Sequence, residues 1–190
     1  MKNKYLLRVV SGKYRGKGIA SPKDFSVRPT SQRVKESLFN IIRFDLYGKS
    51  FLDIFSGTGQ IGIEAISNGA KAYFVDGDTT LLKSNLTSVG CEKDAEVIRG
   101  DFIGVLKSLK NIKFDYVFAD PPYRDGLYQD IVKYSLPVLN DNGVIILEHS
   151  SDIVFDSFDG ATIVDERTYG SRALTFLGGK NEDNGLSGKL

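Results

Sequence analysis

The stretch KSFLDIFSGTGQIGIEAISNGA, residues 49–70, decides the fold because it joins a strand, a glycine turn and a helix without interruption. KSFLDIF (49–55) has the apolar content of a buried strand, and IGIEAISNGA (61–70) predicts a helix that ends at Gly69. Between them GTGQIG (57–62) matches G-x-G-x-x-G, which lets a backbone turn tightly and approach a ligand. The stretch therefore predicts the ligand-binding turn of an open α/β sheet.

Strands and helices alternate from this stretch onward. The further predicted strands are KAYFVDGD (71–78), AEVIRGD (95–101), FDYVFADPPY (114–123) and GVIILEHS (143–150). The helices between them are TLLKSNLTSVG (80–90), FIGVLKSLK (102–110) and LYQDIVKYSLPVL (127–139). ATIVDERTYGSRALTFL (161–177) predicts two antiparallel strands around a Tyr169-Gly170 turn. Such regular alternation indicates a mostly parallel sheet with helices on both faces.

The chain divides into three parts by composition. Residues 1–30 form a basic extension with a strand at YLLRVV (5–10) and a loop at SGKYRGKG (11–18). Residues 31–178 form the α/β domain, which begins with a helix near Thr30 or Ser31. Residues 179–190 have almost no apolar side chain, which predicts a disordered tail.

The composition fits one globular domain of 190 residues with a sizeable core. One cysteine, Cys91, and one histidine, His149, exclude a disulfide framework and argue against a metal site. The sequence contains neither an apolar run of about 18 residues nor a signal-peptide pattern. We therefore expect a cytoplasmic monomer without metal or membrane contact.

Positive charge gathers at the start of the chain although the formal net charge is only +1. Up to residue 35 the single acid is Asp24, against the bases Lys2, Lys4, Arg8, Lys13, Arg15, Lys17, Lys23, Arg28, Arg33 and Lys35. This asymmetry favours a face that meets nucleic acid. A plain solvated face is the alternative.

Acidic residues stand at the ends of the first three strands of the alternation. Asp76 follows the glycine turn by roughly 20 residues, where a carboxylate can accept both hydroxyls of a ribose, so an adenosine-containing cofactor is expected. Asp53 suits a cationic ligand better than a pyrophosphate, which favours S-adenosylmethionine. Asp53 could instead cap the turn, and Asp101 could either accept from the adenine amine or cap the next helix.

The stretch FDYVFADPPYRD (114–125) carries the chemistry, since an apolar strand ends there in an acid, two prolines and a tyrosine. This fourth strand lies beside the first where strand order reverses, so Asp120 emerges next to the cofactor. Pro121 and Pro122 fix the backbone, and Asp120 with the Pro121 carbonyl can hold an exocyclic NH₂. Tyr123 offers a face for stacking of the base. These acceptors orient the amine for in-line attack and stabilise the charge that develops on it.

Several of these motifs resemble a known family. DIFSGTGQIGIEA with FADPPY resembles the Rossmann-like, class I S-adenosylmethionine-dependent methyltransferases, and DPPY is similar to their amino-methylating members. GKYRGKGI, VRPTSQRVKESLFNII and TYGSRALTFL look like the bacterial 16S rRNA guanine-N2 methyltransferases called small-subunit methyltransferase D. The resemblance covers nearly the whole chain.

This resemblance implies a seven-stranded, mostly parallel sheet with an antiparallel last strand and a small N-terminal extension. It implies methylation of the N2 amine of one guanine in 16S rRNA, of the guanine 966 type, on an assembled or partly assembled 30S particle. By position, the cofactor-binding residues are Asp53, Ser56, Gly57, Gly59, Asp76 and Asp101. The catalytic residues are Asp120, Pro121, Pro122 and Tyr123, and the RNA-binding residues are Lys13, Arg15, Arg28, Thr30 and Arg33.

Other functions fit parts of the sequence. A DNA adenine or cytosine amino methyltransferase also uses DPPY, but it needs a recognition region for which this chain has little room. A nicotinamide oxidoreductase would use the glycine turn, and Asp53 counts against it; a non-catalytic RNA-binding module would leave DPPY unexplained. Asp76 stands where the family more often has Glu, so Asp78 could share the ribose contact. We interpret His149 as structural.

Overall fold

Parallel strands form the centre of the protein in a computed structural model that describes residues 7–21, 32–122 and 127–179. The strands are β1 (Leu7–Arg8), β2 (Gly18–Ile19), β3 (Ser50–Ile54), β4 (Lys71–Asp76), β5 (Ala95–Arg99), β6 (Phe114–Ala119), β7 (Leu139–Ser150), β8 (Ala161–Tyr169) and β9 (Arg172–Gly179). The helices are α1 (Gln32–Ile42), α2 (Gln60–Ser67), α3 (Thr80–Val89), α4 (Phe102–Ser108) and α5 (Leu127–Ser135).

Seven of the strands form one sheet in the order β5-β4-β3-β6-β7-β9-β8. The pairs from β5 to β7 are parallel, whereas β9 runs antiparallel to both β7 and β8. Strand order reverses between β3 and β6, which lie side by side. The predicted α/β fold, with a mostly parallel seven-stranded sheet and an antiparallel last strand, is confirmed.

Two apolar layers bury the faces of this sheet. On one face, Val34 and Leu38 of α1 belong to the same cluster as Phe74 of β4, together with side chains of α2 and α3. On the other face, Leu106 of α4 and Ile131 of α5 pack with side chains of β6 and β7. Within the described residues, no helix is long and apolar enough to cross a bilayer.

Several boundaries differ from the sequence prediction. The basic stretch 11–18 forms the turn of an antiparallel hairpin between β1 and β2 and ends at Gly18, the first residue of β2, a two-residue strand that no sequence pattern predicted. Strand β7 begins at Leu139, earlier than predicted, and its register with β6 shifts between the pairs Phe114–Leu139 and Tyr116–Val144 because β7 has the extra residues there. Helix α5 ends at Ser135 because Pro137 cannot continue it, and a 3₁₀ turn follows.

Some predictions fall outside the described residues. These are the loop at 22–30 with Arg28 and Thr30, the side chain of Tyr123, and the tail from residue 180. The division near residue 30 lies there as well. The described part of the extension, residues 7–21, packs on the α/β domain through the buried side chains of Val9 and Ile19.

Candidate active site at the carboxyl edge of the sheet

The turn between β3 and α2 is built from residues with left-handed backbone. Phe55, Gly57 and Gly59 have φ values of 61°, 51° and 76°. In the described part of the chain Phe55 is the only non-glycine residue with positive φ, a conformation that costs about 1–3 kcal/mol and clusters at ligand sites. A Cβ at Gly57 would meet only the Phe55 carbonyl oxygen, at 4.0 Å. The backbone at Gly57 is therefore open to close approach by a ligand.

Asp76, the last residue of β4, braces this turn. Its Oδ2 accepts from the Gly57 N–H at 2.8 Å, and its Oδ1 accepts from the Asp78 N–H at 2.9 Å. Asp78 in turn accepts from the backbone N–H and hydroxyl of Thr80, which lowers the pKa of the Asp78 carboxyl. Asp76 thus lies against the turn, while Asp78 is engaged at the start of α3.

Asp53 is buried beneath the turn, with 2% of its surface exposed. Its Oδ2 accepts from the Gly62 N–H at 2.9 Å, which is the local capping contact that the sequence left open. Burial raises the pKa of Asp53 to about 8; the Gly62 hydrogen bond opposes this shift, and the charges of Asp76 and Asp120 add to it. Asp53, Asp76 and Asp120 therefore lie near one another, and a cationic ligand among them would favour the ionised form of Asp53.

The other predicted cofactor residues differ in their surroundings. Asp101 is exposed and caps α4, since its Oδ2 accepts from the Gly104 N–H at 3.1 Å. Gly59 allows close packing on α3, because a Cβ there would lie 2.3 Å from Leu82 Cδ1. Ser56 is buried, and its Oγ has no hydrogen-bond partner among the described residues. An orphaned hydroxyl, an open turn and converging acids fit a nucleoside cofactor that carries a positive charge.

Asp120 emerges beside the turn, as strand order predicts. The preceding residue, Ala119, pairs with Ile54 of β3 on one side and Leu147 of β7 on the other. The Asp120 side chain is 22% exposed, so its carboxylate reaches the surface of the edge without being fully solvated. Pro121 behind it is buried. The acid and the first proline thus form a fixed corner at the reversal of strand order.

Arg172 joins this corner, although the sequence analysis did not identify it. It is the first residue of β9, and its Nη2 donates to Asp120 Oδ1 at 2.8 Å. Its Nε donates to Glu148 Oε1 at 2.9 Å, and its Nη2 lies 2.8 Å from the same oxygen. Glu148 is fully buried in β7. One sequence feature could have identified Arg172: it is an arginine two residues after Gly170, in a turn that the strand order places at the carboxyl edge.

The basic hairpin is fixed to α2 on the same side of the sheet as α1. Its residues Lys13, Arg15 and Lys17 are exposed, and Arg33 is exposed in the first turn of α1. The Lys13 N–H donates to the Ser67 carbonyl at 2.7 Å, where α2 ends. Two of the predicted RNA contacts are thereby presented on an ordered hairpin.

A buried ion pair anchors the hairpin. Glu64 of α2 accepts from the Ser11 N–H at 2.7 Å, from the Ser11 hydroxyl at 2.8 Å and from the Val10 N–H at 2.9 Å. Lys35 of α1 lies 3.5 Å from Glu64 and donates to the Arg8 carbonyl at 2.6 Å. Both charged side chains are fully buried. Burial lowers the pKa of Lys35, and the charge and hydrogen bond of Glu64 oppose that shift.

Asn85 of α3 links the hairpin to the glycine turn and is a second residue that the sequence did not reveal. Its Oδ1 accepts from the Ala20 N–H at 2.8 Å, and its Nδ2 donates to the Ala20 carbonyl at 3.1 Å. The same Nδ2 donates to the Thr58 carbonyl within the turn at 2.9 Å. The end of the hairpin and the turn therefore share one buried amide.

His149 has the contacts of a structural histidine. It is buried, with Nδ1 2.8 Å from the Ser150 carbonyl oxygen and Nε2 2.7 Å from the Thr175 hydroxyl. Burial lowers its pKa, so the neutral ring is favoured. Across residues 7–21, 32–122 and 127–179, no group of three or more His, Cys, Asp or Glu side chains is placed to hold a metal ion.

Comparisons with known proteins agree on one family. A family model described as conserved hypothetical protein 95 matches residues 7–178. The Bacillus subtilis protein named putative rRNA methyltransferase YlbH is 34% identical over 175 residues, covering 86% of this chain and 94% of that protein. The Haemophilus influenzae ribosomal RNA small subunit methyltransferase D is 33% identical over 172 residues, covering 86% and 89%. The solved structure of the putative methyltransferase yhhF from Escherichia coli superimposes with a TM-score of 0.81 at 26% identity, covering 93% and 99%.

Proposed function

This chain belongs to the small-subunit rRNA methyltransferase D family, and we propose that it methylates the N2 amine of one guanine in 16S rRNA. At the coarser level it is an S-adenosylmethionine-dependent rRNA methyltransferase of the small ribosomal subunit. The observation that carries the finer proposal is the corner of Asp120 and Pro121, which opens beside the glycine turn. The glycine turn alone would also fit a nicotinamide oxidoreductase. We set that function aside because the chain belongs to a methyltransferase family.

In this proposal the converging acids hold the cofactor, which supplies a methyl group on a positively charged sulfur. Asp76 accepts from the ribose hydroxyls, since each carboxylate oxygen can accept a further bond beyond those from Gly57 and Asp78. Asp101 accepts from the adenine amine at the outer side of β5. Asp53 faces the positive charge of the cofactor. Ser56 and the open backbone at Gly57 line the side of the turn that the cofactor would contact.

The proposed chemistry at the corner needs only acceptors and orientation. The exocyclic amine of guanine is a weak nucleophile because its lone pair is delocalised into the ring. Asp120 and the Pro121 carbonyl accept its two N–H groups, which localises the lone pair and aims it at the methyl group. As the N–C bond forms, the C–S bond would break and leave a neutral thioether, and Asp120 stabilises the positive charge on nitrogen until a proton passes to solvent. Tyr123, outside the described residues, is proposed to stack on the base.

The proposed substrate is presented as RNA within a 30S particle. Lys13, Arg15 and Arg33 are exposed, so they can neutralise phosphates of the bound RNA. Arg28 and Thr30 are proposed to continue this contact from the part of the chain outside the described residues. We propose that the protein acts as a cytoplasmic monomer.

An assay of three substrates tests the proposal. The full chain is incubated with S-adenosylmethionine labelled in its methyl group and with deproteinised 16S rRNA, 30S particles that lack the modification, or duplex DNA. We expect label in the 30S particles and less in the free RNA, because the particle orders the target loop. If only the duplex DNA became labelled, the proposal would be wrong and the protein would be a DNA amino methyltransferase.

A further inference from the structure

The ion cluster at the corner is built by strand register. Leu147 of β7 pairs with Ala119 of β6, so the next residues, Glu148 and Asp120, emerge side by side. Strand β9 lies on the other side of β7, and its residue Arg172 pairs with Ser150. The guanidinium, 17% exposed, reaches back across the carboxyl edge to both carboxylates. Three strands thus contribute one charged side chain each.

The contacts fix the guanidinium in orientation as well as in position. Nε and Nη2 of Arg172 both lie within hydrogen-bond distance of Glu148 Oε1, at 2.9 and 2.8 Å. Both of these contacts end on one oxygen, so they restrain the guanidinium without setting its plane. The contact of Nη2 with Asp120 Oδ1, at 2.8 Å, supplies the second acceptor that sets the plane. Because Oδ1 is held by this hydrogen bond, the Asp120 carboxylate cannot rotate freely. The position of Oδ2 is therefore restrained as well.

We infer that Arg172 is a positioning residue for methyl transfer, which aims the Asp120 carboxylate at the target amine, and that Glu148 supports it by orienting the guanidinium. This inference rests on the proposed function, since it presupposes an amine at the corner. Arg172 contacts neither cofactor nor base in this scheme. Its effect passes entirely through Asp120.

Single-turnover methylation of unmodified 30S particles tests the inference, using the full chain with saturating RNA and cofactor. Arg172→Gln should lower the rate constant about 10- to 100-fold, since misplacement of a reacting group by about 1 Å has that size of effect. The Kd for S-adenosylmethionine and the KM for 30S particles should stay within about threefold. Arg172→Lys, which keeps the charge without the planar fork, should recover only part of the rate.

Arg167 supplies the matched control. It lies on the neighbouring strand β8 and pairs with Asp165 at 2.7 Å, away from the corner. Arg167→Gln should leave the rate constant unchanged. If Arg172→Gln does not fold, the lysine variant decides, and a rate constant within twofold of wild type in the folded variant overturns the inference. Wild-type protein that methylates no RNA at all would instead overturn the proposed function.

Discussion

Two clusters of buried charge hold this protein together in different ways. Under the hairpin, Lys35 and Glu64 form a balanced pair that is fully buried, and Glu64 accepts three further hydrogen bonds from Val10 and Ser11. At the carboxyl edge, Asp120 and the buried Glu148 share the guanidinium of Arg172, and Asp120 remains partly exposed. The first cluster is closed to solvent, and the second opens onto the site.

The difference separates anchoring from chemistry. A balanced and saturated pair has no remaining attraction for a ligand, and removing one member leaves an uncompensated charge, so its contribution lies in stability. A carboxylate at a partly exposed edge can still accept from a ligand, and we propose that Asp120 stabilises the positive charge that develops on the amine nitrogen. Substitutions in the first cluster should therefore mainly lower the free energy of unfolding, and substitutions in the second should mainly lower the rate of methyl transfer.

The largest expected effect is that of Asp120→Ala on methyl transfer. Removing the carboxylate removes one acceptor of the amine and the charge that stabilises it, so the single-turnover rate constant should fall by about 10³-fold or more. Cofactor affinity, measured by calorimetry, should stay within about threefold of wild type. Loss of cofactor binding with an unchanged rate at saturating cofactor would mean that Asp120 serves the cofactor and not the amine.

Glu64→Ala should show the reverse pattern. It leaves Lys35 buried without its counterion and two backbone N–H groups without an acceptor, at a cost of about 3–5 kcal/mol in the free energy of unfolding. Denaturant titration measures this loss. The control is Lys35→Met, which should cost less because Glu64 keeps its donors from Val10 and Ser11. If the folded Glu64→Ala and Asp120→Ala variants lost the same fraction of the methyl-transfer rate, the division into an anchoring cluster and a chemical cluster would be wrong.

A smaller effect is expected in the pH dependence of stability. The pKa of Asp53 rises from its ordinary value of 3.8 to about 8 in the folded protein. Between these values the folded state holds a proton that the unfolded chain has released, so Asp53 makes the free energy of unfolding fall as pH rises. Asp53→Asn removes this contribution, which amounts to at most about 1.4 kcal/mol per pH unit. Parallel stability curves for wild type and variant from pH 5 to 8 would contradict the raised pKa.

The smallest effects belong to the hairpin bases. Single alanine substitutions at Lys13 or Arg15 should weaken binding to 30S particles less than tenfold and lower the salt dependence of log K by about 0.7–1 each. The rate constant at saturating RNA should not change, because these residues act on phosphate and not on the base. The exposed Lys93, in the turn before β5, is the control and should have no effect on either quantity. An unchanged salt dependence for both hairpin variants would mean that the RNA binds to another face of the protein.

Local patterns in the sequence predicted the sheet well, because each strand and helix carries its own apolar period. The glycine turn predicted where Asp53 and Asp76 would lie, since a tight turn fixes nearby residues. The hairpin strands β1 and β2 were harder, as they are two residues long and depend on contacts with α2 and α3.

The charge clusters could not be predicted from local pattern. Arg172 meets Asp120 across 52 positions of sequence, and Glu64 meets Val10 across 54. Such pairings exist only after the sheet has set its register. The same limit applies to Asp101, where spacing allowed both an adenine contact and a helix cap, and the structure shows the cap.

The identity of the methylated atom tests the central claim most directly. RNA from 30S particles treated with wild-type protein is digested to nucleosides, and the product is identified by mass spectrometry against standards. The account predicts N2-methylguanosine with wild type and its absence with Asp120→Ala, since the corner is proposed to hold an exocyclic amine. A methyl group on a ring carbon, a ring nitrogen or a ribose oxygen would contradict the account, because none of these atoms carries the NH₂ that Asp120 and Pro121 are proposed to hold.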